Sequence, residues 1–208
     1  INQHTKILPV KVLDESGSGS LESVALGIKY AVDQGAKVIN LSLGGSYSRT
    51  IEAALKYAHA KNVAIIVASG NDGTEGISYP GSSRYVISVG ATSPLDVVSD
   101  YSNYSHKLDL VAPGSNIPSL VPNGNVTYMS GTSMATPHVA AVVGLLKSTN
   151  PSMKIGQIRT VLHESSKNVA FEERDNDGTS SDDDILNLIG GSEDYDDYEE
   201  EATYKLAV

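Results

Sequence analysis

Val63-Ala64-Ile65-Ile66-Val67-Ala68 is apolar at every position and runs into Ser69-Gly70-Asn71-Asp72-Gly73. A strand with one wet face alternates apolar and polar residues. One that does not alternate is covered on both faces, as in a parallel sheet between two layers of helix. The flanking sequence agrees. Residues 38–43 (Val-Ile-Asn-Leu-Ser-Leu) read as a strand closed by Gly44-Gly45. Between the two strands, residues 48–61 set Ile51, Ala54, Leu55 and Ala58 on one helical face. Upstream, residues 21–32 do the same with Leu21, Val24, Ala25, Ile28 and Val32, and Gly35 follows as a stop. Residues 7–13 read as a strand before the polar, Gly-rich residues 14–20, and two more strands are predicted at 85–89 and 108–111. A last helix is predicted over 154–163. Strand, helix, strand, helix, strand predicts an α/β fold with a mainly parallel sheet and helices on both faces. Ligands of such sheets bind at the carboxyl ends of the strands. Three polar, Gly-rich stretches fall there: residues 17–20, 42–45 and 69–73.

The chain has 208 residues, enough for one sizeable core. It has no cysteine, which excludes disulfides and thiolate chemistry. No stretch is long and apolar enough to span a membrane. The net charge of −10 is unevenly placed. From Glu164 onward there are 15 acidic and 3 basic residues, against 10 acidic and 12 basic before it. Neither part interleaves a basic patch with aromatics, which argues against nucleic acid as a partner. Residues 169–208 read as an acidic, solvated, partly disordered tail, with 185–189 as its one apolar island. Its aspartates lack the spacing and closing glutamate of an EF-hand loop.

A second stretch is a candidate for chemistry, although its residues alone also read as a serine near the cap of an ordinary core helix. Gly131-Thr132-Ser133-Met134-Ala135-Thr136-Pro137-His138-Val139-Ala140 opens a long, Ala-rich apolar run with two short polar residues. Read as a helix, it puts Ser133 at the N-terminus, where free N–H groups and the helix dipole favour negative charge. A serine there is suited to attack a carbonyl, because an oxyanion grows beside it. Gly131 admits close approach of a ligand, and Pro137 is read as sitting early, where a missing N–H costs least. Asn71, leaving the most buried strand, offers a side-chain donor to such an oxyanion.

These ten residues resemble the nucleophile segment of the subtilisin-like serine proteases, the subtilases, and Ala68-Ser69-Gly70-Asn71 resembles that family's oxyanion segment. The resemblance covers about residues 7–165. It implies a three-layer subtilisin-like fold, with residues 1–168 as the C-terminal part of the catalytic domain and its N-terminal part missing from this chain. It implies Ser133 as nucleophile and Asn71 as oxyanion donor, with the Ser133 N–H as second donor and Thr132 assisting through its hydroxyl. It implies that Gly17, Ser18 and Gly19 form one edge for the substrate backbone and Ser42, Leu43 and Gly44 the other. Ala68, Ser69 and Gly70 would wall the pocket for the residue before the cut, with Leu13 and Leu21 shaping neighbouring pockets. Tyr79-Pro80-Gly81 resembles a family turn with a cis X–Pro bond.

The general base is the departure. Subtilases carry it in a His-Gly-Thr segment and its orienting aspartate in an Asp-Thr/Ser-Gly segment, and neither is in these residues. His138 lies five residues beyond Ser133 in the same presumed helix, too rigid a link to swing back. His4, His59, His106 and His163 lie outside any motif. The resemblance therefore implies a serine endopeptidase whose His and Asp come from an upstream segment or second chain. The alternative is a non-catalytic, peptide-binding relative. It further implies peptide or protein substrates, room for a propeptide, calcium mainly through the upstream part, a secreted or cell-surface location, and autoprocessing as one origin of a chain beginning at Ile1. Two rival folds fail on their motifs. Position 135 is Ala, so no Gly-x-Ser-x-Gly elbow exists, and glycines at 70, 73 and 76 do not make Gly-x-Gly-x-x-Gly.

Overall fold

Two serines start the first two helices. Ser20 caps α1 (Leu21–Asp33) by accepting from the Ser23 N–H, and Ser48 caps α2 (Arg49–Ala60) by accepting from the Ile51 N–H. Each cap satisfies a donor that the helix leaves orphaned. A computed structural model of the chain describes residue 1, residues 3–171 and the backbone of residues 203–206. Strands β1 (Val38–Leu41), β2 (Ala64–Ala68), β3 (Ile87–Thr92) and β4 (Leu110–Pro113) pair in parallel in chain order. Two helices follow later in the chain: α3 (Thr132–Thr149) and α4 (Ile155–Ser165).

β2 shows why its sequence does not alternate. Ile65 and Val67 point into a core with Val24, Ile28 and Leu55 of α1 and α2. Ala64 and Ile66 point into a second core with Ala135, Val139, Val143, Ile158 and Leu162 of α3 and α4. All five residues of β2 are buried. The expected parallel sheet with helices on both faces is present.

Residues 7–13 depart from expectation. They form no strand ladder among the described residues, and Ile7 and Leu8 are exposed. A strand exists only against a partner. What holds this segment is packing: Val10 and Val12 lie against the first core. A Cβ on Gly27 of α1 would come within 2.4 Å of Val12 Cγ1, so the helix gives way to the segment at that glycine.

Four further strands were not expected. β5 (Ile117–Leu120) and β6 (Val126–Met129) form an antiparallel hairpin. β8 (Thr203–Leu206) pairs with β4, and β7 (Lys167–Ala170) pairs with β8 to form the sheet edge. The boundary drawn at residue 168 thus falls inside β7. The acidic runs and the apolar island at 185–189 lie outside the described residues.

α4 is tied to the sheet by charge. The half-buried Arg159 guanidinium pairs with the Asp109 carboxylate and donates to the Val86 carbonyl. Asp109 also accepts from the Ser88 N–H and hydroxyl, at 2.8 and 3.0 Å. Burial pushes the Arg159 guanidinium below its ordinary range, so it depends on this partner. Asp109→Ala is expected to cost about 1–3 kcal/mol by stranding a partly buried cation and two donors. The check is the denaturant midpoint, read at an unchanged slope.

Candidate active site

The site forms where β1 and β2 end and α3 begins. A cleft of about 420 Å³ is lined there by Leu43, Gly44 and Gly45 after β1, by Ala68 at the end of β2 and Gly70, Asn71 and Asp72 after it, and by Thr132 and Ser133. Ser78 and Tyr79 close its far side. The Gly45 N–H donates to the Tyr79 carbonyl at 2.8 Å, which fixes the β1 edge against the turn. The Tyr79–Pro80 bond in that turn is cis, as the resemblance implied. The Tyr79 hydroxyl reaches α2, 3.0 Å from the Ser48 carbonyl and 3.3 Å from the Glu52 carboxylate. Burial first, and then Glu52, hold that phenol well above its ordinary range, so it stays protonated and anchored.

Ser133 is the second residue of α3 and half-buried. Its N–H belongs to the first turn and has no helical acceptor. Its hydroxyl donates to the Ser42 carbonyl over a long 3.4 Å. Pro137 corrects the sequence reading: it is the sixth residue of α3, inside the helix rather than in its first turn. Its missing N–H leaves the Ser133 carbonyl without its i+4 donor. The Ser42 hydroxyl fills that place, donating to the Ser133 carbonyl at 2.8 Å. Ser42 therefore touches the backbone of Ser133 and is absent from the cleft lining.

Asn71 is set from the other side. Its carboxamide oxygen accepts from the Thr132 N–H at 2.8 Å and from the Thr132 hydroxyl at 2.9 Å. Thr132 is fully buried, so both donors need that oxygen. With the oxygen engaged, the NH₂ end of Asn71 is left as a donor on the cleft. Gly131, at φ 155°, makes the turn into α3, and a Cβ there would meet both ends of the Asn71 amide at 3.7 Å.

The remaining expected residues are placed as follows. Leu43, Gly44, Ala68, Gly70 and Thr132 line the cleft with Ser133 and Asn71. Ser69 does not: it is fully buried and its hydroxyl donates to the Asn103 carbonyl at 3.1 Å. Leu13, Gly17, Ser18, Gly19 and Leu21 lie outside the lining, on an exposed turn and the start of α1. That turn is held by Asp14, whose carboxylate accepts from the N–H groups of Ser16 and Ser18. Asp72 and Tyr79 line the cleft too, and so does Ser78, which nothing in the sequence spacing marks.

No histidine lines the cleft among the described residues. His138 is occupied locally, its Nδ1 2.8 Å from the Met134 carbonyl. A carbonyl only accepts, so Nδ1 carries the proton. Also among the described residues, no group of three or more His, Asp or Glu could hold a metal.

Fold and site together define an α/β protein with a serine-centred site at the carboxyl ends of its strands. The chain belongs to the subtilase family, whose model matches residues 1–189. It is 57% identical over 199 residues to the cell wall-associated protease of Bacillus subtilis (strain 168), covering 95% of this chain and 21% of that protein. It is 48% identical over 147 residues to thermitase of Thermoactinomyces vulgaris, covering 70% of this chain and 53% of that protein. Among solved structures, a cold adapted subtilisin-like serine proteinase superposes with a TM-score of 0.72 at 34% identity. The match covers 75% of this chain and 58% of that one. The chain thus spans less than two thirds of the length of these relatives.

Proposed function

We propose that this chain is the nucleophile and oxyanion side of a serine endopeptidase, hydrolysing peptide bonds through an acyl-enzyme on Ser133. One observation carries the reading. Thr132 holds the Asn71 carboxamide by its oxygen, leaving the NH₂ end on the same cleft as Ser133. Ser133 Oγ attacks the scissile carbonyl. Asn71 Nδ2 and the Ser133 N–H receive the oxyanion. The serine proton passes to a histidine and from there to the leaving amine, and water then releases the acyl group.

That histidine, and the aspartate that orients it, come in this reading from an upstream segment or a second chain. Three facts support it: no histidine lines the cleft among the described residues, the relatives are longer proteins, and Ile7 and Leu8 are exposed apolar side chains. The substrate backbone would lie between the edge at Gly17–Ser18–Gly19 and that at Ser42–Leu43–Gly44, a strand-addition mode. Ala68, Ser69 and Gly70 would form the wall before the cut, with Leu13 and Leu21 flanking. The Asp72 carboxylate on the cleft disfavours an acidic residue there. Action outside the cell, secreted or at its surface, fits a relative named as cell wall-associated. Among the described residues, no helix is long and apolar enough to cross a membrane.

A serine-directed phosphonylating reagent tests both parts of the proposal. It is expected to label Ser133 in the full-length protein and to leave this chain alone unlabelled. Equal labelling of the isolated chain would remove the need for an upstream base. No labelling of the full-length protein would favour a peptide-binding module that does no chemistry.

A further inference from the structure

Asn71 is exposed, and none of the loop's backbone hydrogen bonds is made by its own N–H or carbonyl. Its neighbours are held instead, and by one residue. Asn103 is 2% exposed. Its N–H donates to the Gly70 carbonyl at 3.0 Å, just before Asn71. Its side-chain oxygen accepts from the Asp72 N–H at 2.8 Å, just after Asn71. Its side-chain NH₂ donates to the Asp72 carboxylate at 3.2 Å and to the Ser78 hydroxyl at 3.3 Å. Its carbonyl accepts from the hydroxyls of Ser69 and Ser102 at 3.1 and 3.2 Å. Gly70 lets the two segments meet: at φ 113°, a Cβ there would stand 2.4 Å from Asn103 Nδ2.

We infer that Asn103 is a positioning residue for the oxyanion donor, acting through the loop that carries Asn71. This rests on the function proposed above. The chemistry needs the Asn71 NH₂ where the oxyanion will form, and a displacement of about 1 Å at such a donor can cost about 10²-fold in rate. Thr132 fixes the outer end of the Asn71 side chain. Asn103 fixes the backbone from which that side chain springs, on both sides of it. The carboxamide suits the task, because one planar group must accept from an N–H and donate to a carboxylate and a hydroxyl together. Alanine does neither. Aspartate keeps the acceptor but sets its carboxylate against that of Asp72.

The test uses the full-length protein and a small peptide substrate. Asn103→Ala is expected to lower kcat about 10–100-fold with KM changed less than about threefold. The loss should vanish when Asn103→Ala is made on top of Asn71→Ala, since there is then no donor left to misplace. Asn103→Asp is expected to lower kcat similarly. Adding Asp72→Asn reverses the donor and acceptor of the pair and should restore kcat to within about threefold of the Asp72→Asn single variant. A role confined to stability predicts otherwise: unchanged kcat in the folded fraction, or the same loss with and without Asn71. Either result overturns the inference. If Asn103→Ala does not fold, the Asn103→Asp and Asp72→Asn pair decides it, and failure of the second substitution to restore kcat counts against the role. Should Ser133→Ala retain the parent's activity, it is the proposed function that fails, separately from anything seen at Asn103.

Discussion

Ser133→Ala in the full-length protein is expected to lower kcat by about 10⁶, the size measured when the nucleophile of a subtilase is removed. The loss should fall on kcat and leave KM within a few-fold, because the hydroxyl serves bond formation rather than ground-state binding. The fold should not suffer. The Ser133 hydroxyl makes one long bond, 3.4 Å to the Ser42 carbonyl, while the contact that replaces the missing Pro137 N–H uses the Ser133 carbonyl, which alanine keeps. The melting temperature is therefore expected to stay within the small range of ordinary surface changes. A residual rate of about 10³ over water should persist, from the oxyanion donors and substrate binding alone. Activity within tenfold of the parent would assign the chemistry to another residue.

What could be read from sequence, and what could not, divides along a physical line. β2, α1 and α2 were legible because burial writes itself as a pattern: unbroken in β2, every third or fourth residue in the helices. The β5–β6 hairpin buries no face, so Ile117–Leu120 and Val126–Met129 carry no alternation to detect. Residues 7–13 have the composition of a strand, but a strand is a property of two segments, and none of the described residues pairs with this one. Ser133 and Asn71 were singled out for another reason: the segments around them resemble the motifs of a known family. Each sits at a junction where one buried element begins or ends, and the local sequence there is short, polar and glycine-rich. Pro137 was misplaced because the Ser42 hydroxyl just past β1, 91 residues before Ser133 and bonded to the Ser133 carbonyl, makes its missing donor tolerable inside α3. Asn103 gave no signal at all. It lies in an irregular loop, and its bonds to Gly70 and Asp72 exist only once the chain has folded.

Asn71→Leu is expected to lower kcat by about 10²–10³, roughly 2.7–4 kcal/mol, the size measured on removal of this donor from a subtilase. Leucine keeps the branched heavy-atom skeleton of asparagine, so the cleft lining at Gly44 and Gly70 stays in place and KM should change less than about threefold. The same substitution removes the acceptor of the buried Thr132, whose N–H and hydroxyl lie 2.8 and 2.9 Å from the Asn71 oxygen. That loss predicts a separate destabilisation of about 1–3 kcal/mol. Asn71→Asp separates the two effects. A carboxylate keeps an acceptor for Thr132, so stability should be largely retained. It cannot donate to the oxyanion, and its charge opposes the one that develops, so kcat should fall at least as far as with leucine. The measurement is a pair of saturation curves together with a pair of unfolding curves. Loss of kcat in both variants, with loss of stability in leucine alone, is the expected pattern. A rise in KM with kcat unchanged in both would make Asn71 a substrate-binding residue and leave the oxyanion to the Ser133 N–H.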